Sequence, residues 1–97
     1  MTAYNIVRFK LKPGKGEAFL DAHRNAPPMA GLIEAALINT GTDAYCFVGK
    51  WDKFESIAGA RPQMISMLDK FRPLLEDMGN GLGLTDPVSG TVALELK

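Results

Sequence analysis

The chain reads as one α+β domain, a four-stranded antiparallel sheet with two helices on one face, in the order β, α, β, β, α, β. Three observations predict it. Segments near both ends alternate apolar and polar residues with the strand period of two. Two other segments repeat apolar residues every three or four positions. Proline and glycine punctuate the joins. The 97 residues fit a single domain spanning 1–97. Surface scaling has such a chain bury about 64% of its unfolded area, enough for a thin core.

Residues Tyr4 to Lys12 form the first strand. Val7, Phe9 and Leu11 point one way, and Arg8, Lys10 and Lys12 the other, joined there by Ile6. Pro13 and Gly14 stop it. From Lys15 to Ala26 the period becomes helical, with Phe19, Leu20, His23 and Ala26 on one side, and Pro27 and Pro28 close the helix. Gly31 to Thr40 is an apolar, partly β-branched run read as the second strand, and Gly41 to Asp43 a turn. Ala44 to Trp51 is the third strand. Its Tyr45, Cys46, Phe47 and Val48 are apolar on both faces, which makes it central and covered on both sides.

Asp52 and Glu55 have capping-box spacing and predict a short helix over Lys53 to Ala60. Pro62 suits the first position of a further helix, whose stripe is Met64, Met67, Leu68, Phe71, Leu74, Leu75 and Met78, with a kink or restart at Pro73. Gly79, Gly81 and Gly83 end that helix in a mobile loop. They are not a phosphate loop, since they follow a helix and no Lys-Ser or Lys-Thr pair comes after them. Asp86 and Pro87 start a turn, and Val88 to Leu96 alternates as the last strand. The order is ferredoxin-like, with right-handed crossovers.

Eleven basic and eleven acidic residues cancel, at a pI near 6.6, which argues against a basic nucleic-acid binder or a polybasic membrane anchor. One cysteine, Cys46, and one histidine, His23, cannot build a disulfide framework or a Cys/His zinc site within one chain. The N-terminus has no basic and apolar leader pattern, and no apolar run reaches a membrane span, so the expected compartment is the cytoplasm.

Two helices cover one face of a sheet only. Yet Tyr45, Phe47, Cys46 and Val48 together put apolar groups on both faces, and Ile6 adds to the second. Leaving about four such side chains in water would forgo something like 6–12 kcal/mol, comparable to the stability of a small domain. The uncovered face is therefore expected against a second copy in a two-fold homodimer.

The NIVRFKLKPGK opening, the EAFLDAHR helix, the FVGKWDKFESI strand-to-helix junction and the TDPVSG segment together span nearly the whole chain. On these it resembles the dimeric α+β barrel superfamily and, within it, the antibiotic biosynthesis monooxygenase-like (ABM-like) domains. The resemblance implies two ferredoxin-like protomers stacked sheet on sheet, with a pocket between each protomer's sheet and helices. Some members oxidise polyketide-like aromatic substrates with oxygen and neither metal nor flavin; others degrade haem, isomerise lactones or have no established activity. Haem-degrading relatives carry an asparagine on strand one and a tryptophan and a histidine on the long helix. Here Val7 stands at the asparagine position, and Met64 to Met78 has neither tryptophan nor histidine, which argues against haem degradation.

Each candidate residue has a structural and a functional reading. His23 is either a hydrogen-bonded residue of the helix's apolar side or, facing the pocket, a general acid–base. Tyr45, Phe47 and Trp51 are packing residues or walls for a planar ligand. Met64, in a methionine stripe, is core or an adaptable ligand wall. Arg61 and Arg24 are surface residues or hold an anionic substrate group. Cys46 reads as a small hydrophobe, with nothing adjacent to make a thiolate.

Three functions are compatible: a monooxygenase acting on a small apolar or aromatic substrate without metal or other cofactor, a non-catalytic ligand-binding or structural homodimer, and a non-oxidative, lactone-isomerase-like enzyme. His23, Trp51 and Tyr45 in one enclosed pocket would favour an enzyme; a pocket filled by Met and Leu would favour the binding dimer.

Overall fold

A computed structural model describes all 97 residues. Strand β1 (Ala3–Lys10) leads through helix α1 (Gly16–Arg24) to β2 (Leu32–Gly41) and β3 (Ala44–Trp51). Helix α2 (Phe54–Phe71), a 3-10 turn (Arg72–Leu74) and β4 (Thr85–Thr91) follow. The strands form one antiparallel sheet in the order β2-β3-β1-β4, the ferredoxin-like arrangement.

The strand period divides the sheet into two faces. Ala3, Asn5, Val7 and Phe9 of β1 share the helix side with their β3 partners Trp51, Gly49, Phe47 and Tyr45. Tyr4, Ile6 and Arg8 stand on the other side with Lys50, Val48 and Cys46. No element of the chain covers that second face. Tyr4, Ile38 and Val88 are exposed there, flanking the half-buried Ile6, Cys46 and Val48. Correspondingly, the accessible surface is 6185 Å², above the roughly 5,400 Å² of a compact monomer of this mass.

On the helix side the core falls into two clusters. Phe9, Leu11, Phe19, Met67, Phe71 and Leu75 make the larger, with the rings of Phe9, Phe19 and Phe71 meeting edge-on at 5.2–5.7 Å between centroids. Ala3, Trp51, Ile57 and Ala60 make the smaller. The chain after α2 runs back along the end of β1: Leu11 bridges Leu75, and the Glu76 N–H donates to Lys10 O at 2.8 Å.

Several local expectations are corrected. The short helix and the one expected after Pro62 are a single helix, with Pro62 in its interior. Ile57, Ala60, Met67 and Phe71 lie on one continuous buried stripe. Burying each large side chain contributes about 1.5–3 kcal/mol, which together outweighs the roughly 3 kcal/mol cost of one proline. At Pro73 the helix ends rather than restarting: Phe71 is its last residue, and a 3-10 turn follows.

The capping box does not form. Lys53 is the N-cap with no side-chain cap bond, and the Asp52 carboxylate instead accepts from the Ser56 hydroxyl at 2.5 Å. Gly31, at φ +88°, makes room for this pair, since a Cβ there would come within 2.5–2.7 Å of Ser56 and Asp52.

The last strand begins earlier and ends earlier than its alternation predicts. Asp86 and Pro87 lie inside β4, which pairs with β1 from Thr85↔Phe9 to Thr91↔Ala3. Proline is tolerated because β4 is an edge strand. Past Val92, whose N–H reaches Thr2 O at 2.8 Å, the pairing does not continue, and Leu94 and Leu96 are exposed. No helix is long and apolar enough to cross a membrane.

Candidate functional site

Between the helix side of the sheet and α2, and bordered by members of both core clusters, lies a cavity of about 430 Å³. That is within the range of small-molecule sites. Eleven of its seventeen lining residues are hydrophobic. The methionines Met29, Met64 and Met67 supply a deformable wall with Leu68 and Phe47. Polar groups are few: Asn5 and His23, Arg61 from the exposed side of α2, and Thr85 and Ser89 from β4.

His23 is the third residue of its last turn and is half-buried. Its Nδ1 lies 2.8 Å from the carbonyl oxygen of Phe19 one turn earlier. A carbonyl only accepts, so Nδ1 carries the proton, and Nε2 keeps a lone pair in the neutral ring. The ring packs against Phe19 and Phe71, with both centroid separations 4.7 Å. Burial in this aromatic setting lowers the His23 pKa below its ordinary 6.5, against the opposing effect of the Phe19 bond. The neutral imidazole is thereby favoured at neutral pH.

Asn5 was not singled out by the sequence. The residue is 5% exposed, and Oδ1 accepts the Trp51 indole N–H at 2.6 Å. Its Nδ2 meets only the thioether of Met64, at 3.8 Å. The signal that could have found it is its place in the inward series Ala3, Asn5, Val7, Phe9: one amide among apolar side chains.

Of the residues predicted to form the site, His23, Phe47, Arg61 and Met64 line the cavity. Arg61 has no salt bridge, whereas Arg24 is paired with Glu17 and Asp21. Tyr45 and Trp51 are not in the lining. Tyr45 packs on Phe19 at 5.4 Å and over Gly16 at the start of α1. Trp51 is wholly buried behind Asn5 in the smaller core cluster. Their strand positions put both on the helix side, but helix packing rather than the strand period decides which inward residues border the cavity. Cys46 is free, half-buried and on the opposite face of the sheet. A second, more open hollow crosses that face between Tyr4, Ala36, Ile38 and Val48.

No protein-family model matches the chain, and no curated protein matches it in sequence. Solved structures do. SnoaB, a cofactor-independent oxygenase from Streptomyces nogalater, is 13% identical with a TM-score of 0.70, over 98% of this chain and 96% of that one. A candidate antibiotic biosynthesis monooxygenase from Nitrosomonas europaea is 14% identical, with a TM-score of 0.73 over 95% and 90% of the two chains. A conserved protein from Methanosarcina mazei Go1 is 11% identical, with a TM-score of 0.76 over 94% and 92%. The fold is that of the antibiotic biosynthesis monooxygenase-like proteins.

Proposed function

We propose that the protein binds a small apolar or aromatic molecule in the cavity beneath α2 and oxidises it with molecular oxygen without a bound cofactor, working as a homodimer. The observation that carries this reading is the neutral His23 imidazole bordering an apolar cavity of about 430 Å³. Nε2 is a base whose conjugate acid is disfavoured by burial, so a proton it takes is readily passed on. An acidic C–H of the substrate, next to a carbonyl or on a phenolic ring system, gives its proton to Nε2 and becomes a carbanion or enolate. That carbanion reduces oxygen directly, and the reprotonated hydroperoxide loses water to leave a ketone. A CH₂ group thus becomes C=O, one oxygen atom ends in the product and the other in water, and no outside reductant is consumed. The largely apolar wall offers few groups that could protonate the carbanion. A structural neighbour that is a cofactor-independent oxygenase supports the assignment.

The dimer rests on the uncovered face of the sheet, where Tyr4, Ile6, Ile38, Val48 and Val88 form an apolar surface. A second reading, binding without turnover, is favoured by the flexible Met29, Met64 and Met67 wall, by Tyr45 and Trp51 lying outside the cavity, and by His23 being the lone acid–base side chain of the lining apart from Arg61. Oxygen uptake with a panel of enolisable bicyclic ketones and phenols separates the two. Turnover by the wild type that is lost in His23→Ala supports the oxygenase. Binding with no oxygen uptake supports the second reading, and an unchanged His23→Ala rate removes His23 from the reaction.

A further inference from the structure

We infer that the Asn5 carboxamide is a ligand-binding donor in the cavity, held in one orientation by Trp51, and that the ligand therefore carries a hydrogen-bond-accepting oxygen, a carbonyl or enolate, on an otherwise apolar ring system. This rests on the cavity being the small-molecule site proposed above and adds the chemical class of what it takes.

The orientation of the amide follows from the inventory of donors. An indole N–H can only donate, so the Asn5 atom 2.6 Å from Trp51 Nε1 is the oxygen. The NH₂ group then faces the opposite way, toward Met64 of α2 and the cavity that both residues line. It has two N–H donors, and its sole partner is a sulfur at 3.8 Å, a weak acceptor. With Asn5 as a residue 5% exposed, this is a buried donor whose hydrogen-bonding capacity is poorly used. Met64 is a long, flexible side chain that can give way to a ligand oxygen.

The backbone makes room for the arrangement. Gly49 pairs with Asn5 across the strands, and a Cβ there would stand 2.7 Å from Asn5 Oδ1 and 2.8 Å from the Phe47 ring. Trp51 itself does not border the cavity, so it acts as a positioning residue: it occupies the oxygen and leaves the donor free. A hydrocarbon gains nothing from that donor, whereas a ketone of the same shape does.

The test is binding of 1-tetralone and of tetralin, a bicyclic ketone and its matched hydrocarbon, by calorimetry and by NMR of the side-chain amide signals. The wild type is expected to prefer 1-tetralone by about two- to tenfold, the range of one net hydrogen bond. The Asn5 Nδ2 protons should shift with 1-tetralone and much less with tetralin. Asn5→Leu should lose the preference and keep tetralin affinity. Trp51→Phe, which lets the amide turn, should also reduce the preference while tetralin still binds. Equal wild-type affinities with unmoved Asn5 amide signals would overturn the inference and leave Asn5 as the acceptor for Trp51 only, with the cavity still a ligand site. Binding of neither compound would overturn the cavity reading and this inference together. The wild-type amide signals keep the test decisive if either variant fails to fold.

Discussion

The Trp51 indole N–H donates to Oδ1 of Asn5 across 2.6 Å, joining the second inward residue of β1 to the last residue of β3. Asn5 faces Gly49 in register, so the bond runs diagonally between neighbouring strands on the helix side of the sheet. It satisfies a buried indole that would otherwise have no acceptor, and it fixes which end of a buried amide meets the cavity.

Gly49→Ala should break this arrangement. Its Cβ would press on Asn5 Oδ1 and the Phe47 ring at under 3 Å, and both belong to a packed layer. Urea unfolding is expected to show a loss of about 1–3 kcal/mol, the usual cost of overpacking. The emission of the chain's single tryptophan should shift as its hydrogen bond is displaced. An unchanged midpoint with unchanged emission would contradict the close approach.

Stability should depend on His23 in acid. Its folded pKa lies below the ordinary 6.5, so between those two values the unfolded chain binds more protons than the folded one. The His23 contribution is therefore complete above pH 6.5 and is lost as pH falls through the folded value. The melting temperature of the wild type should drop over this window more steeply than that of His23→Gln. Parallel curves for the two proteins would show that the ring is not held neutral by burial.

Pro62 sits at an exposed position inside α2 and cannot donate to the carbonyl of Ala58. Pro62→Ala restores that bond and is expected to stabilise the protein by about 1–3 kcal/mol in chemical denaturation, less whatever the freer unfolded chain takes back. A destabilised variant would mean that the proline ring, and not merely the surrounding helix, is needed there.

Val48→Asp places a charge at the middle of the uncovered sheet face, opposite Ile6 and Ala36. If two copies pair through that face, a buried unpaired carboxylate should weaken association by at least about 3 kcal/mol, on the order of a hundredfold. Sedimentation should then show a dimeric wild type and a monomeric variant. A wild type that is monomeric at micromolar concentration would remove the homodimer.

Most of the sheet was legible because β strands declare themselves through a period of two. Ala44 to Trp51 is observed with the bounds its sequence suggests, and Ile6 lies opposite Val7 and Phe9 as the alternation requires. The ends of elements were not legible where a distant contact sets them. β4 stops at Thr91, opposite Ala3, the first residue of its sole neighbour β1. The Asp52 carboxylate does not cap the helix but accepts from Ser56, in space that a Cβ at Gly31 would fill. Local propensity makes Pro62 a helix boundary, but the buried stripe from Ile57 to Phe71 carries the helix through it.

The sequence by itself determined the βαββαβ order, the two-sided apolar character of β3 and the presence of His23 on the apolar side of α1. Each of these follows from spacing along the chain, and spacing survives without coordinates. The tertiary structure alone decided that Phe47 borders the cavity while Tyr45 packs over α1, that Trp51 lies behind Asn5, and that Asn5 turns its NH₂ toward Met64. Those outcomes depend on where α1 and α2 rest on the sheet. A periodic pattern names the face a side chain occupies, and only packing sets its neighbours on that face.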